Sequence, residues 1–366
     1  MMQDQHRGSS GNKVRFGFLS TAQIGQKNWK AIAHSGNSIV TAVASRDVER
    51  SRQFIANCQR LAPFEKPPAA LGSYEELIAA KDVDALYIPL PTGLRKEWVI
   101  RAAEAGKHVV CEKPCALSAA DLREMIAACR KNRVQFMDGV MFMHHPRLER
   151  IRRVIDDGTS VGRIKRVMSI FSFRGGENFL RTNIRVHSDL EPAGCLGDLG
   201  WYCIRFILWA LHWQLPREVT GRVLSACEVG RSPLAVPLDF SAELVFGDDV
   251  SAGFYSSFLA QMQQWANVSG TKGYLRVSDF VFTQSDLESA FEVNNNLVRV
   301  KAAADGQANG DAVAQQTNLF RTFSNHALSG RLDAFWPEIA LKTQQVMDAC
   351  LESARAGGRA VVLRQG

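Results

Sequence analysis

The chain has 366 residues, of which 46% are hydrophobic and 22% charged, a composition typical of a globular protein of about two domains. Its net charge of +7 comes from 44 basic and 37 acidic residues that are scattered and interleaved with apolar residues, which argues against a nucleic-acid interface. The sequence contains no run of 18 apolar residues and no apolar segment near the N-terminus, so it predicts neither a membrane span nor a secretory signal. Its eight cysteines include no CxxC pair, which favours reduced thiols in the cytoplasm.

The first predicted strand begins after a short polar tail. Residues 1–13 are predicted to be disordered, and Val14–Leu19 is apolar at nearly every position, as in a parallel sheet covered on both faces. A turn and a helix follow, which is the context of a dinucleotide-binding loop. The three fingerprint glycines of such loops are here Ser20, Ala22 and Gly25. Small residues still permit a close backbone approach, and a helix N-terminus favours an anion, so this segment is predicted to bind a pyrophosphate. The predicted contacts are Gly17, Ser20, Thr21, Ala22, Gln23 and Ile24.

The second predicted strand, Ser38–Ala44, ends in Ser45 and Arg46. An acidic residue at this place would bind the 2′-hydroxyl of NAD. A serine followed by an arginine favours the 2′-phosphate of NADP, because the planar guanidinium can bind phosphate through two hydrogen bonds. The alternative is that Asp47 binds the ribose, so NADP is favoured and NAD stays open.

Strands and helices continue to alternate, which predicts a Rossmann domain with a doubly wound parallel sheet over residues 14–140. The further elements are a helix over 48–58, a loop over 64–68, a helix from 74 capped by Ser73, a strand over 83–88, a helix over 95–105 ended by Gly106, a strand over 108–110, a helix from Ser118 to 132 and a strand over 134–138. Pro89-Leu90-Pro91-Thr92, at the exit of one strand, is interpreted as a rigid platform beside a nicotinamide.

Cys111-Glu112-Lys113-Pro114 follows another strand of this sheet. The strand end brings the lysine ammonium to the carboxyl edge of the sheet, where ligands bind in open α/β folds. Pro114 ends the strand and fixes the direction of the backbone. A lysine there can exchange a proton with a hydroxyl or carbonyl group if its surroundings tune its pKa. The alternative is a solvated loop lysine.

From residue 141 the pattern changes to longer alternating segments and hairpins, which predicts an α+β domain over 141–366 with a large, open and mostly antiparallel sheet. A helix over 146–156 comes first. The predicted strands cover residues 164–173, 218–227, 238–246, 250–258, 265–269 and 274–277. A loop over 303–316 is predicted to be mobile, and helices over 316–328 and 335–356 close the chain.

Asp198 and Tyr202 are four residues apart in a predicted helix that begins near Gly194, so they share one face. Tyr202 could exchange a proton with a substrate oxygen if a cation such as Lys113 lowers its pKa, and Asp198 could hold a substrate hydroxyl or orient Lys113. The alternative is that Asp198 caps the helix and Tyr202 is a core aromatic residue.

Two further residues are assigned to substrate binding. His144 and His145 are adjacent, but no third ligand has a suggestive spacing, so no metal site is predicted. A structural or a substrate-lining role is favoured for the two histidines, and His145 is assigned to the substrate cleft. Arg174 begins the long loop over 174–193, whose side chains are expected to cover the cleft.

Three motifs together resemble one known family. They are Glu112-Lys113-Pro114, the Pro91-Thr92 platform and Gly197-Asp198-Leu199-Gly200-Trp201-Tyr202, and the family is that of glucose-fructose oxidoreductase, inositol dehydrogenase and MocA. The resemblance covers the chain from Val14 to about Val361. Residues 86–92, 171–173 and 270–273 are especially similar to plant-type oxidoreductases of uncharacterised function and, more distantly, to the dihydrodiol and NADP-dependent D-xylose dehydrogenase branch.

The resemblance implies a nicotinamide cofactor and hydride exchange with a carbon that bears a hydroxyl. It also implies that Lys113 lies by the nicotinamide and the substrate, that Asp198 helps to bind the substrate, and that Tyr202 is the general acid/base. In relatives the open face of the second sheet makes dimers, so a homo-oligomer formed through the C-terminal sheet is expected. Two departures from the family pattern are the replaced fingerprint glycines and Arg95, which stands where relatives usually have histidine.

The sequence therefore predicts an NADP-dependent oxidoreductase that acts on a small molecule, a sugar, polyol or cyclic diol. Lys113, Asp198 and Tyr202 are predicted to be catalytic and to bind the substrate with His145 and Arg174. The alternative is a non-catalytic sensor that binds the dinucleotide and regulates a partner. The presence of all three catalytic residue types argues against the sensor.

Overall fold

The computed structural model describes residues 13–228, 235–247, 249–283, 288–301 and 314–363. The predicted disordered tail, apart from Lys13, and all but the last three residues of the predicted mobile loop lie outside these ranges. Those three residues, 314–316, begin a helix.

Six strands form a first sheet in the order β3-β2-β1-β4-β5-β6, and every neighbouring pair is parallel. Its strands are β1 (Val14–Leu19), β2 (Ser38–Ala44), β3 (Ala69–Leu71), β4 (Ala85–Ile88), β5 (His108–Cys111) and β6 (Phe136–Asp138), and its helices are α1 (Ile24–Ser35), α2 (Val48–Leu61), α3 (Tyr74–Ala79), α4 (Thr92–Glu104) and α5 (Ala119–Lys131). The predicted Rossmann arrangement is confirmed. The short edge strand β3 was not predicted.

The helices of this domain begin in two ways. Asp47, Ser73 and Ser118 cap α2, α3 and α5, because each side chain accepts a hydrogen bond from a backbone N–H of the first turn. Helix α4 instead has Pro91 at its N-cap, which supplies no side-chain hydrogen bond. The free N–H groups of α4 therefore need another acceptor.

Gly17 lies inside β1 and not in the loop that follows it. A Cβ atom there would come within 2.8 Å of Leu77, 2.9 Å of Leu86 and 3.1 Å of Val83. The register between β1 and β2 also shifts at this residue. The prediction that Gly17 contacts the cofactor is therefore wrong, because the glycine makes room for the core of the sheet.

Nine strands form a second sheet in the order β14-β13-β12-β11-β7-β10-β9-β8-β15. Its strands are β7 (Ile164–Ser172), β8 (Glu218–Cys227), β9 (Val236–Phe246), β10 (Val250–Ser257), β11 (Gln263–Gly270), β12 (Tyr274–Val277), β13 (Glu288–Val293), β14 (Asn296–Lys301) and β15 (Val361–Val362). The remaining helices are α6 (Arg147–Asp156), α7 (Glu177–Thr182), α8 (Trp201–Ala210), α9 (Ala314–Ser329) and α10 (Phe335–Arg355), with short 3₁₀ helices at Met141–His144 and Ile184–Val186 and a π-helix at Leu196–Gly200. Among these strand pairs only β7 and β10 are parallel, so the mostly antiparallel prediction is confirmed.

Helix α9 returns from the second half of the chain to the first sheet. Phe320 packs edge-on against Phe16 with ring centroids 5.4 Å apart, and Phe323 lies 5.7 Å from the same ring. The hydroxyls of Ser38 and Ser324 are 2.7 Å apart. The C-terminal part of the chain therefore completes the cover of the Rossmann sheet.

Over the described residues, no helix is both long and apolar enough to cross a membrane. Helix α8, the most apolar helix, is buried along its whole length beneath the second sheet.

Candidate active site

A cleft of about 970 Å³ lies between the two sheets. One wall is the carboxyl edge of the parallel sheet, and the other is made by the start of α8, the end of β7 and the segment over 182–194. Ligands of open parallel sheets bind at this edge. The cleft is therefore the place where a dinucleotide and a small molecule could meet.

Lys113 and Asp198, which are 85 positions apart, meet inside this cleft. The ammonium Nζ of Lys113 lies 2.6 Å from Oδ1 and 2.8 Å from the backbone oxygen of Asp198. Only 10% of the Lys113 side chain and 14% of the Asp198 side chain are exposed. The pair joins the exit of β5 to the second domain.

Asp198 has a second cationic partner, since Nε of Arg185 lies 2.9 Å from its Oδ2. Burial opposes ionisation, but the charges of Lys113 and Arg185 outweigh it and lower the pKa of Asp198 to about 2. Asp198 lies in the π-helix, a form that often occurs at functional sites, where an ordinary α-helix was predicted. Its carboxylate is thus ionised over the whole neutral range.

Tyr202 is next to this ion pair. The Lys113 ammonium lies 4.8 Å from the centroid of its ring, and its hydroxyl contacts Sδ of Met141 at 3.7 Å. Burial, followed by the charges of Glu112 and Asp198, raises the pKa of the Tyr202 phenol well above its ordinary value. The expectation that Lys113 lowers this pKa is therefore wrong: the buried phenol keeps its proton.

Glu112 is held by a buried network that the sequence did not reveal. Its Oε1 accepts a 2.7 Å hydrogen bond from the Tyr87 hydroxyl and a 3.4 Å bond from Nδ2 of Asn28. Asn28 also donates to the Tyr87 oxygen at 2.6 Å. A Cβ atom at Gly139 would come within 3.1 Å of the Glu112 carboxyl, so a glycine is needed beside it. The network fixes the Glu112 carboxylate in the cleft.

The loop between β1 and α1 fits a pyrophosphate. Ser20 has a φ of +132°, a backbone conformation that glycine adopts more easily, and its hydroxyl accepts a 3.3 Å hydrogen bond from the Ala22 amide. A Cβ atom at Gly25 would come within 3.0 Å of Phe54, so the third fingerprint position needs a glycine. The chain therefore keeps the fingerprint backbone with a serine and an alanine in two of its places, and α1 presents its N-terminus to the cleft.

The predicted cofactor residues divide into two groups. Those that line the cleft are Ala22, Gln23, Ile24, Pro89, Leu90, Glu112 and Lys113. Ser20, Thr21, Ser45, Arg46 and Pro91 lie in or beside the loops at the same sheet edge, and their contacts stay predictions. Thr92 belongs to neither group: it is buried, donates to Glu191 and does not line the cleft, which does not support a direct cofactor contact.

His145 and Arg174 were predicted to bind the substrate, and neither lines the cleft. His145 is buried, and its Nδ1 accepts a hydrogen bond from the Arg147 amide. Burial, and then the Arg147 charge, lower the pKa of His145 to about 3. Arg174 is exposed and lies two residues beyond the end of β7. Both predictions are corrected by these positions.

Sequence reasoning missed Arg185 and Glu191, which both line the cleft. They lie in a segment whose only pattern is a 3₁₀ turn, and no spacing rule connects them to Asp198 or to α4. Arg95, noted only as a departure from the family, is buried and donates hydrogen bonds to the backbone oxygens of Leu90, Glu112 and Pro114.

In the part of the chain that the structure describes, no three His, Cys, Asp or Glu side chains are grouped to hold a metal ion. His144 instead stacks on Trp336 with ring centroids 4.5 Å apart.

Comparisons with known proteins agree with this architecture. Residues 14–140 match the model of the Gfo/Idh/MocA oxidoreductase family with its NAD-binding Rossmann fold, and residues 148–276 match the Gfo/Idh/MocA C-terminal domain. The chain is 29% identical to D-xylose 1-dehydrogenase (NADP(+)) 2 of Haloferax volcanii, over 94% of this chain and 98% of the relative. It is 32% identical to trans-1,2-dihydrobenzene-1,2-diol dehydrogenase of Bos taurus, over 68% of each chain.

Solved structures share the whole fold. An aldose-aldose oxidoreductase from Caulobacter crescentus, complexed with glycerol, superposes with a TM-score of 0.80 at 23% identity over 96% of this chain and 100% of the other. A 3-ketoreductase from Actinomadura kijaniata, in complex with NADP and TDP-benzene, gives a TM-score of 0.77 at 24% identity over 93% and 98%. With both family models matched and the two sheets arranged as in these structures, the chain belongs to the Gfo/Idh/MocA oxidoreductase family.

Proposed function

We propose that this protein is an NADP-dependent oxidoreductase that transfers a hydride between the nicotinamide and a CH–OH carbon of a sugar, polyol or cyclic diol. The observation that carries the proposal is the meeting of Lys113, Asp198 and Tyr202 in one cleft at the carboxyl edge of the Rossmann sheet. The named activities of the Haloferax and Bos relatives support the substrate class and NADP.

Residues for the cofactor are in place. The loop over 20–23 and the N-terminus of α1 would hold the pyrophosphate, and Pro89, Leu90 and Glu112 would flank the nicotinamide. When bound, NADP supplies the hydride acceptor or donor. The chain itself must hold the reacting carbon still and move the proton.

Three side chains have different roles in positioning the substrate and moving the proton. Tyr202 keeps its proton at neutral pH and can donate it to a substrate carbonyl oxygen as that oxygen gains charge. Lys113 can hold the same oxygen, since its ammonium is adjacent to the Tyr202 ring. Asp198 keeps the ammonium in position and offers carboxylate oxygens to a neighbouring substrate hydroxyl. In the oxidative direction the Tyr202 phenol must first release its proton to solvent, and the phenolate then accepts the proton of the substrate hydroxyl.

The direct test combines binding with turnover. The purified protein is titrated with NADPH and NADH while tryptophan fluorescence is followed, and it is then assayed with NADP⁺ on aldoses, polyols and trans-cyclic diols and with NADPH on the matching carbonyl compounds. Turnover of one class supports the proposal. Tight NADPH binding without turnover of any compound would favour the sensor, and no binding of either cofactor would overturn both readings.

Arg46→Ala is expected to weaken NADPH binding by about 10- to 100-fold and to leave NADH binding within about 3-fold, because only NADPH offers a 2′-phosphate to the guanidinium. Asp47 caps α2, since its Oδ1 accepts a 2.9 Å hydrogen bond from the Glu49 amide. This cap favours Arg46 over Asp47 as the residue that contacts the adenine ribose or its 2′-phosphate. Both Kd values are measured by fluorescence titration. Arg50→Ala, an exposed arginine in the first turn of α2, is the control. Equal weakening of both cofactors would contradict the assignment.

The second sheet supports a homo-oligomer. Helices α8 and α10 cover one of its faces. On the other face Ile170, Tyr255 and Trp265 lie side by side in register and are only half-buried. An apolar row of this kind is typical of an interface. Trp265→Arg is expected to convert the oligomer to a monomer in light scattering after size exclusion, and a monomeric wild-type protein would refute the proposal.

A cytoplasmic location is part of the same proposal, supported by eight cysteines that are all free.

A further inference from the structure

Helix α4 receives its N-terminal cap from the other domain. Oε1 of Glu191 accepts a 3.0 Å hydrogen bond from the Thr92 amide, and Oε2 accepts a 2.6 Å bond from the Thr92 hydroxyl. Since Pro91 supplies no side-chain cap, the carboxylate satisfies a donor that the local sequence leaves open. A negative charge at this end of a helix is also favoured by the helix dipole.

The backbone of the same segment lies directly on α4. The Gly93 amide donates a 3.3 Å hydrogen bond to the Leu190 oxygen, and a Cβ atom at Gly93 would come within 2.9 Å of the Asp189 oxygen. Only 12% of the Glu191 side chain is exposed. The contact is therefore a close, buried junction between the segment over 182–194 and the first turn of α4.

On the Rossmann side, this junction continues to Lys113. Nη2 of Arg95 lies 3.8 Å from Oε1 of Glu191, and the same guanidinium holds the backbone oxygens of Glu112 and Pro114, which flank the lysine. Arg95 is 4% exposed and so has little freedom to move. A displacement of Glu191 would therefore reach the residues on either side of Lys113.

On the other side, the junction continues to Asp198. Arg185 lies six residues before Glu191 and is paired with Oδ2 of Asp198 at 2.9 Å. The Glu191 amide is fixed to the His187 oxygen at 2.8 Å, and its own backbone oxygen accepts from the Gly194 amide at 3.0 Å. The segment that ends in the π-helix is thus ordered around Glu191.

We propose that Glu191 is a positioning residue, which fixes the segment carrying Arg185 to the strand ends carrying Lys113 and so sets the separation of Lys113 and Asp198. The inference rests on the proposed function for its effect on turnover. An error of about 1 Å in the placement of a reacting pair can cost on the order of 100-fold in rate. Glu191 touches neither Lys113 nor Asp198, so its effect passes through Thr92, Arg95 and the segment itself.

The experiment compares Glu191→Ala and Glu191→Gln with the full-length wild-type enzyme. Glu191→Ala is expected to lower kcat by about 10- to 100-fold with the Kd for NADPH within about 3-fold, as for supporting residues of other sites. Glu191→Gln is expected to recover part of this loss, because its amide oxygen still accepts from Thr92 without the charge. Glu177→Ala, which removes an exposed carboxylate from α7 just before this segment, is expected to leave kcat unchanged.

A second readout needs no turnover. In hydrogen–deuterium exchange, Glu191→Ala is expected to lose protection at 92–96 and at 184–190 together, since the two segments are held by the same carboxylate. A kcat within twofold of wild type, an equal loss of NADPH affinity, or exchange that rises in only one of the two segments would overturn the proposal. If the wild-type protein turns over no compound, the proposed function fails, and the exchange result alone decides whether Glu191 joins the two segments.

Discussion

Tyr202→Phe is expected to lower kcat by about 100-fold or more, because a positioned general acid contributes about 10²- to 10⁴-fold to a rate. The substitution removes one oxygen and keeps the ring, so the packing against Phe142 and Phe171 and the cation–π contact with Lys113 stay in place. The hydroxyl itself contacts only the Met141 sulfur within the described residues, so the loss of stability should be small. Turnover and NADPH affinity are measured on the same preparation.

Tyr274→Phe is the matched control, since Tyr274 lies in β12, away from the cleft. NADPH affinity should stay within about 3-fold of wild type in both variants, because Tyr202 serves the substrate oxygen and not the cofactor. A Tyr202→Phe enzyme with wild-type turnover would remove the phenol from the mechanism and leave Lys113 as the proton donor.

The pH dependence of the same reaction tests whether the Tyr202 phenol is the proton donor. The pKa of Tyr202 is raised well above its ordinary value, so the phenol is protonated from acid pH to beyond pH 9, and the pKa of Asp198 is lowered to about 2, so its carboxylate is ionised over that range. Reductive kcat/KM should accordingly stay flat between about pH 6 and pH 9. A fall in this interval would show that another group carries the proton.

Much of the fold could be predicted because local signals agreed with the global arrangement. The nearly continuous apolar runs of β1 and β4 identify buried parallel strands. The caps Ser73 and Ser118 mark helix starts that the structure confirms by hydrogen bonds. Two of the missed strands are very short: β3 has three residues and β15 has two, too few for a period-two pattern. The hairpin of β13 and β14 was also missed, because its turn at Asn294 and Asn295, both at positive φ, was not recognised. The contact of α9 with the first sheet links distant parts of the chain, and no local pattern reports it.

The same difference between local and long-range signals applies to the residues of the active site. Lys113 and Asp198 could be predicted because strand ends and helix starts gather at one edge of a parallel sheet. Glu191 could not, because its partner Thr92 is 99 positions away and the predicted start of α4, at residue 95, lay past Thr92. The error at His145 came from choosing the substrate-lining role over the structural one, whereas its ring is buried and accepts a hydrogen bond from the Arg147 amide.

A buried ion pair joins the two domains behind the cleft. Arg205 of α8 and Asp138 at the end of β6 are 0% and 1% exposed, and their side chains form two hydrogen bonds, at 2.5 Å and 3.3 Å. Nε of Arg205 donates to the Thr343 hydroxyl of α10 at 2.7 Å, so the guanidinium is satisfied on three sides. The pair connects the Rossmann sheet, the helix that carries Tyr202 and the last long helix.

Asp138→Asn is expected to lower the free energy of unfolding by about 3–5 kcal/mol, because it leaves the Arg205 charge buried without a counter-charge. The double replacement Asp138→Leu with Arg205→Met is expected to cost much less, since it removes both charges and leaves apolar groups of similar size. Urea denaturation of the wild type, the single variant and the double variant measures the order of their free energies of unfolding. The control is Glu177→Gln, which breaks an exposed pair with Arg181 and should change the free energy of unfolding by no more than about 1 kcal/mol. If the single and double variants lost equal stability, packing and not the uncompensated charge would be the cause. The order expected here would show that the uncompensated Arg205 charge, and not lost packing, destabilises the single variant. Like the 2.6 Å contact of Lys113 with Asp198, the pair connects a strand end of the Rossmann sheet to the part of the second domain that carries Tyr202.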